Sequence, residues 1–242
     1  MTGEALIEVA DLVVELGRRR VLDVAKLRIE RGRVVLLCGD NGSGKTTLLK
    51  VLAGLLIAGR GAFRCLGSRM SPRGAARFCR GRHVYLHQTP YLFDGTVAEN
   101  VSYGLELRGH DRAQREIEIR EALAWAGLDH LADRPSAQLS TGEKQRVALV
   151  RARVLAPPLL LLDEITANMD TASRQRVQTM LGDFQRAGSS VVLATHDPDS
   201  LTMLATARIE LAAGRMAERS AAPERATIIP FQRHVTDSSR DG

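Results

Sequence analysis

The segment Gly39-Asp40-Asn41-Gly42-Ser43-Gly44-Lys45-Thr46 decides the expected fold of this chain. It follows the apolar run Val34 to Cys38 and precedes residues 47–56, whose apolar side chains fit one face of a helix. Its spacing matches G-x-x-x-x-G-K-[ST], and that motif requires a strand before it and a helix after it. The sequence therefore predicts a phosphate-binding loop between a buried strand and a helix.

The residue types of this loop suit the binding of a nucleoside triphosphate. Its glycines let successive backbone N–H groups face a phosphate, and the helix N-terminus adds partial positive charge. We expect Lys45 to reach the outer phosphates and the Thr46 hydroxyl to contribute to a Mg²⁺ shell. The predicted nucleotide-binding residues are Gly39, Asp40, Asn41, Gly42, Ser43, Gly44, Lys45, Thr46 and Thr47.

Two adjacent carboxylates follow a second apolar run. Leu159 to Leu162 reads as a buried strand, and Asp163 and Glu164 come directly after it. At the carboxyl end of a parallel strand, such side chains point into the crevice where ligands bind. We expect one carboxylate to hold Mg²⁺ and the next to orient and deprotonate an attacking water.

The order of predicted elements indicates an α/β fold with a mostly parallel sheet. Strand and helix signals alternate after residue 159, which is typical of crossover connections. Residues 5–37 favour short strands, whereas Asp111 and Gly127 mark a helix start and stop, and 141–155 predicts another helix. We expect one domain over 1–220 with an N-terminal antiparallel β subdomain and an inserted helical subdomain at about 89–155, and a polar, disordered tail over 221–242.

Composition excludes several other classes of protein. The chain has 242 residues, a formal net charge of +6 and three cysteines without metal-ligand spacing. No apolar run approaches the roughly 20 residues of a membrane helix, and the N-terminus lacks a secretory n-region. We therefore expect a cytoplasmic protein that binds polyanions, and the charge balance does not choose among nucleotides, nucleic acid and phospholipid headgroups.

A further set of motifs resembles the ATP-binding cassette (ABC) family. Leu139-Ser140-Thr141-Gly142-Glu143 resembles its signature sequence, and Gln88 lies where the family has its Q-loop. Thr166-Ala167-Asn168-Met169-Asp170 is similar to the D-loop, and His196 to the switch histidine. These motifs occur in the family's order, together with the phosphate loop and the two carboxylates, and the resemblance covers about residues 5–217.

The resemblance implies a P-loop NTPase (RecA-like) core and a head-to-tail dimer, as a homodimer or with a second cassette. Two ATP molecules would lie between a phosphate loop and the partner's signature residues, which here are Ser140, Thr141, Gly142 and Glu143. It implies Glu164 as general base and His196 as the group that holds the γ-phosphate and water. Gln88, Thr46 and Asp163 would ligate Mg²⁺; Asp170 would serve the D-loop, although it can also simply cap the following helix.

Three positions depart from the family pattern. Thr141 and Glu143 replace glycine and glutamine in the signature, which adds bulk and negative charge near the predicted phosphate. Ile165 stands where proline is usual. We expect the first two to weaken the ATP-bound dimer modestly, since neither removes a backbone donor.

The resemblance also indicates what the ATPase drives. Tyr91-Leu92-Phe93 lies in a segment that the family uses against its membrane subunit, although such a triplet can equally be core. Residues 95–109 are similar to bacterial importer ATPases, particularly those serving tungstate and related oxyanions. The implied partners are an integral membrane permease and an extracytoplasmic substrate-binding protein, with this chain on the cytoplasmic face of the inner membrane.

One alternative function remains open at this stage, and a second conflicts with the residues present. Arginines are dense at Arg18 to Arg20 and between Arg60 and Arg82, as in an ATPase that acts on DNA or ribosomes. However, nucleic acid is not the expected partner, because solvated surface explains such runs and no coiled-coil heptads or zinc motifs accompany them. A catalytically dead cassette conflicts with the presence of Lys45, Glu164 and His196.

Leu16 yields the first testable prediction. Family members usually place an aromatic residue at this position to stack on adenine, and base stacking on an aromatic ring is worth about 1–3 kcal/mol. We therefore expect GTP to compete with ATP better than it does in relatives with the aromatic residue. Competition binding to the purified dimer measures this; an ATP preference over GTP above about a hundredfold would contradict it.

Overall fold

The computed structural model describes residues 4–166, 169–198 and 203–216. Within them the strands are β1 (Ala5–Leu16), β2 (Arg19–Glu30), β3 (Val34–Cys38), β4 (Arg60–Cys65), β5 (Ser68–Met70), β6 (His83–Leu86), β7 (Leu159–Asp163), β8 (Ser190–Thr195), β9 (Ala207–Ala212) and β10 (Arg215–Met216). The helices are α1 (Lys45–Leu52), α2 (Pro72–Cys79), α3 (Val97–Leu107), α4 (Arg112–Ala126), α5 (Thr141–Leu155) and α6 (Thr171–Arg186). Residues 221–242, predicted to form a tail, lie outside the described part.

The larger sheet has the strand order β10-β9-β3-β8-β7-β6. Strands β6 to β9 and β3 pair in parallel, and β10 pairs antiparallel with β9. Strands β3, β7 and β8 are buried at every residue, because helices or the second sheet cover both faces of a parallel sheet. This architecture confirms the predicted α/β fold class.

A second, antiparallel sheet precedes the phosphate loop. Its strand order is β2-β1-β4-β5. Its first two strands have 12 residues each and are therefore longer than the short strands predicted from sequence. They form a hairpin in which Leu16 pairs with Arg19, and Gly17 supplies the left-handed backbone (φ 63°) that the tight turn requires.

Helix α1 ends earlier than the apolar pattern of residues 47–56 suggests. It stops at Leu52, and Gly54 follows with a φ of 73°. A Cβ at Gly54 would lie 2.2 Å from the carbonyl oxygen of Ala76, so α2 approaches this backbone too closely for any side chain. Leu55 is consequently 55% exposed rather than part of the helix face.

The helices between residues 97 and 155 pack on one another and on the parallel sheet. Helix α4 begins after Asp111, whose carboxylate accepts from the Gln114 N–H at 2.9 Å, and it ends at Gly127, as predicted. Helix α5 has the predicted bounds. Helix α2 begins at a Ser71 cap and was not foreseen in the sequence. No helix in the described ranges is long and apolar enough to cross a membrane.

The side chains of β7 alternate between two hydrophobic cores. Leu159 and Leu161 pack with α1 and the antiparallel sheet, whereas Leu160 and Leu162 pack with α5 and α6. Period-2 alternation thus fixes the strand between two layers, and its register determines where the following carboxylates emerge.

We predict that Leu161→Ala destabilises the chain by about 2–5 kcal/mol, because it removes a fully buried side chain from the central layer. The measurement is the urea midpoint of unfolding followed by circular dichroism. Ile117→Ala serves as control, since Ile117 is 57% exposed on α4 and should change stability by no more than about 0.5 kcal/mol. Equal losses in the two variants would contradict the assignment of Leu161 to the core.

Candidate functional site

The phosphate loop joins β3 to α1 and depends on glycine at three positions. Gly39, Gly42 and Gly44 have φ values of 145°, 80° and 106°. A Cβ at Gly39 would lie 2.1 Å from the Leu211 carbonyl oxygen, so this turn also needs glycine for its close packing against β9. The loop therefore curls at the N-terminal end of α1, where backbone N–H groups have no partner within the helix.

Lys45 crosses the interior of the loop. Its ammonium donates to the carbonyl oxygens of Gly39 at 2.7 Å and Asp40 at 3.0 Å, and it lies 3.7 Å from Glu164 Oε1. The side chain is only 5% exposed. A buried ammonium must be paired, and its three donors here have two carbonyls and a carboxylate nearby. Lys45 consequently ties the loop to the edge of β7.

Glu164 occupies a strained position at the end of β7. Its φ is 53°, in the left-handed region that costs a residue other than glycine about 1–3 kcal/mol. Its N–H donates to the Ala194 carbonyl at 3.0 Å, which anchors the turn to β8. The surrounding fold thus holds the carboxylate over the cleft, where its side chain remains 20% exposed.

His196 follows β8 and faces the other oxygen of the same carboxylate. Its Nδ1 lies 3.5 Å from Glu164 Oε2, and its side chain is 57% exposed. Since β7 and β8 are adjacent parallel strands, their carboxyl ends bring these two residues together from positions distant in sequence. Lys45, Glu164 and His196 therefore form one connected group at this edge.

Asp163 is buried and hydrogen-bonded from the neighbouring strand. The Tyr85 hydroxyl donates to Asp163 Oδ2 at 2.8 Å, and the carboxylate residue is 4% exposed. Burial raises the pKa of Tyr85, and the hydrogen bond to Asp163 raises it further, so the hydroxyl keeps its proton and acts as a donor. The sequence alone gives Tyr85 no role, because the pairing of β6 with β7 that brings it beside Asp163 is a tertiary feature.

A cleft of about 500 Å³ contains much of the predicted nucleotide site. It is lined by Leu16, Arg19, Arg20, Val21, Asn41, Gly42, Gly44, Lys45, Thr46, Thr47, Glu164 and Ala213. Three larger cavities, of about 620, 800 and 550 Å³, lie elsewhere on the molecule, and no residue of the phosphate loop lines them. The cleft therefore joins the loop, the β7 edge and the β1–β2 hairpin.

Gln88 lies apart from this cleft, on an exposed loop after β6. Its backbone carbonyl accepts from Gln145 Nε2 at 3.2 Å, and Gln145 is 3% exposed on α5. Further along the same loop, Arg151 donates to the Tyr91 carbonyl at 2.9 Å. Helix α5 thus holds the Gln88 loop by its backbone and leaves the Gln88 side chain at the surface.

The signature residues form the N-terminus of α5. Ser140 caps the helix by accepting from the Glu143 N–H at 3.3 Å, while Glu143 Oε2 accepts from the Ser140 N–H at 2.7 Å. These bonds lower the pKa of Glu143, and its carboxylate is therefore charged at neutral pH. Thr141 is exposed, and Gly142 lies beside Ser173 at the start of α6.

No described hydrogen bond or ion pair joins residues 140–143 to residues 39–47 of the same chain. Within the described ranges, the signature therefore does not complete its own chain's phosphate site. An exposed helix N-terminus offers N–H donors and partial positive charge, which suit an anion from outside the chain.

Asp170 caps α6. Its Oδ1 accepts from the Ser173 N–H at 2.9 Å and its Oδ2 from the Ser173 hydroxyl at 2.7 Å, and these bonds lower the pKa of Asp170. Asp170 therefore caps α6, as one of its two predicted roles requires. Ala167 and Asn168 of the predicted D-loop lie outside the described residues.

Sequence relatives support the family resemblance. The family model described as ABC transporter matches residues 22–167. The chain is 36% identical over 223 residues to the sulfate/thiosulfate import ATP-binding protein CysA 2 of Chromobacterium violaceum, with 91% of this chain and 60% of that protein aligned. It is 34% identical to the taurine import ATP-binding protein TauB of Escherichia coli O157:H7, with 88% and 83% aligned. It therefore spans about three fifths of the first relative and most of the second.

Solved structures agree with the sequence comparison. CbiO1 of Clostridium perfringens, part of the ABC transporter complex cbiONQ, has a TM-score of 0.81 at 27% identity, with 90% of this chain and 89% of that chain covered. An ATP-binding subunit of an ABC transporter has a TM-score of 0.78 at 27% identity, with 89% and 90% covered. From its motifs, its fold and these relatives, the chain belongs to the ATP-binding domain family of ABC transporters.

Proposed function

We propose that this chain is the ATP-hydrolysing subunit of a bacterial ABC importer. The observation that carries the proposal is the connected group of Lys45, Glu164 and His196 at the edge of the parallel sheet, directly beside the phosphate loop. A cation, a carboxylate and an imidazole in this arrangement suit phosphoryl transfer to water, in which positioning and charge stabilisation supply most of the catalysis.

In the proposed reaction, the oxygen of a water molecule attacks the γ-phosphorus of ATP. Glu164 accepts the proton of that water, and the bond between the γ-phosphorus and the bridging oxygen breaks to release ADP and inorganic phosphate. Lys45 stabilises the negative charge on the phosphate oxygens. His196, close to Glu164, would orient the water and the γ-phosphate.

The donor set proposed for Mg²⁺ fits that ion. Thr46 offers a hydroxyl and Asp163 a carboxylate, and Mg²⁺ prefers such oxygen ligands together with substrate phosphates and water. Gln88 has the amide oxygen proposed as a third ligand, but it lies outside the cleft lining and would have to approach the bound ion. Bound there, the ion would neutralise charge on the phosphates. The Tyr85 hydroxyl supports this role, since it holds the Asp163 carboxylate in one orientation.

The proposed catalytic unit is a head-to-tail dimer, either of two copies or with a second cassette. The N-terminus of α5 is exposed and separate from its own phosphate loop, so the N–H groups of Thr141 and Gly142 would face a nucleotide on the partner, while Ser140 and Glu143 form the cap that holds this turn. Asp170, at the start of the neighbouring α6, would lie near the same interface.

The proposed transport substrate is an oxyanion. The aligned relatives carry the names of sulfate/thiosulfate and taurine importers, and their cargoes share a tetrahedral anionic sulfur–oxygen group. Tungstate, which the sequence resemblance suggests, has the same shape and sign of charge. The proposed partners are a membrane permease and an extracytoplasmic substrate-binding protein, with this chain on the cytoplasmic face of the inner membrane.

The Tyr91–Phe93 segment supports a permease contact. Tyr91 is 76% exposed, and the guanidinium of Arg151 stacks 4.4 Å from the centre of the Phe93 ring. The segment is therefore anchored to α5 while it presents an aromatic side chain to a partner.

The arginine-rich segments do not favour nucleic acid as the partner. Arg20 lies near the carboxylates of Glu15 and Asp23, and the Arg80 guanidinium donates to the Gly54 carbonyl at 3.0 Å. Arg82 stacks over the Phe78 ring. These three cations are engaged within the chain, and the aligned relatives are import subunits.

Copurification tests the transporter assignment. We expect the tagged chain, extracted gently from membranes of its own host, to retain one integral membrane protein in fixed stoichiometry, identified by mass spectrometry. Recovery of ribosomal proteins or DNA in place of a membrane protein would contradict the assignment.

Glu164→Gln tests the proposed mechanism. The variant keeps the size of the side chain but removes the proton acceptor, so we expect hydrolysis to fall at least about a hundredfold while MgATP is still bound. We also expect light scattering to show a stable dimer with MgATP. Lys45→Ala, which should lose ATP binding, serves as the comparison that stays monomeric. A monomeric Glu164→Gln protein under saturating MgATP would overturn the mechanism.

Tyr85→Phe tests whether the Tyr85 hydroxyl orients Asp163, the proposed Mg²⁺ ligand. Removal of one hydroxyl should raise the Mg²⁺ concentration required for half-maximal ATPase activity about tenfold, because Asp163 loses the donor that orients it. Binding of ATP in EDTA should remain unchanged. Tyr103→Phe is the matched control, since its ring packs on Phe93 away from the cleft. An unchanged Mg²⁺ dependence in Tyr85→Phe would contradict the proposed role.

A further inference from the structure

The end of the nucleotide cleft opposite the phosphate loop is formed by the β1–β2 hairpin. Leu16, Arg19 and Val21 line this end, and Lys45, Thr46 and Glu164 line the other. If the proposed function holds, the triphosphate lies on Lys45 and Thr46. The base then extends towards the hairpin, because the cleft continues in that direction.

The hairpin offers no aromatic ring to the base. Leu16 is 49% exposed, and its cross-strand partner is Arg19. Leu16 can cover part of a base by apolar contact, but it has no planar surface of its own. A flat, stacked contact must therefore come from another residue at this end of the cleft.

Arg19 has a guanidinium group that is available for this contact. Among the residues that the structure describes, its side chain has no hydrogen bond or ion pair, whereas the side chain of its neighbour Arg20 lies 3.7 Å from Glu15 and 3.5 Å from Asp23. The residue is exposed and lines the cleft. It thus combines free rotation with a position beside the predicted base.

We propose that Arg19 stacks its guanidinium on the purine of the bound nucleotide and, together with Leu16, replaces the aromatic base platform. The guanidinium is planar, weakly hydrated and permanently charged, and arginine planes stack on nucleobases in other recognition sites. This inference rests on the proposed function, since it requires a nucleotide in the cleft.

The same chemistry sets the base preference. A guanidinium stacked on the face of a purine contacts the fused ring system that adenine and guanine share, and it does not read the edge groups O6 and N7 that distinguish them. Arg19 therefore supports GTP about as well as ATP. Leu16 contributes contact area without distinguishing the two bases.

The experiment is isothermal titration calorimetry of the full chain with MgATP, MgGTP and inorganic tripolyphosphate, which carries the phosphates without a base. For Arg19→Ala we expect affinity for both nucleotides to fall about fivefold or more and to a similar extent, and affinity for tripolyphosphate to stay within about twofold. Arg18→Ala is the matched control, since it removes the same charge from the same turn at a residue outside the cleft lining.

A second variant tests whether an aromatic ring can take the place of Arg19. Leu16→Tyr in the Arg19→Ala background supplies an aromatic platform, and it should restore ATP affinity to within about threefold of the wild-type chain. Equal nucleotide affinities in Arg19→Ala and Arg18→Ala would overturn the inference. An equal loss for tripolyphosphate would also overturn it, because Arg19 would then act on the phosphates. Absence of nucleotide and tripolyphosphate binding in the wild-type chain would overturn the proposed function as well.

Discussion

The buried ammonium of Lys45 is the interaction on which the rest of the site depends. A lysine that is only 5% exposed is tolerated because two loop carbonyls and the Glu164 carboxylate surround it. Those partners come from the phosphate loop and from the end of β7, so one charge joins two segments distant in sequence. The loop keeps the curled shape that a phosphate requires, and Glu164 stays above the cleft.

The parallel sheet supplies the second constraint. Strands β3, β7 and β8 are adjacent, and the phosphate loop, the carboxylate pair and His196 each follow one of their carboxyl ends. The three segments therefore meet at one edge of the sheet, although they are far apart in the sequence. The strained φ of Glu164 is maintained because its N–H bonds to β8 and the core layers fix the strand beneath it.

Local signals predicted the elements well where one chain segment contains all the information. The Asp111 cap and the Gly127 stop delimit α4, since both act through backbone groups within a few residues. Helix α1 was predicted too long, because Gly54 is forced into a turn by the approach of α2, which no local pattern reveals. The sequence does not predict the roles of Tyr85 and Gln145 for the same reason. Each donates a hydrogen bond to a residue that only the tertiary fold brings beside it.

The family and the fold class can be predicted from local sequence, because a phosphate loop, a strand ending in two carboxylates and a signature helix each carry their chemistry in adjacent residues. Which side chains come into contact depends on the folded chain. Glu164 lies between Lys45 and His196, α5 holds the Gln88 loop, and Arg19 remains unpaired within the described chain beside Leu16. Distances between segments depend on strand order and layer packing, which arise from burial of the whole chain rather than from any single motif.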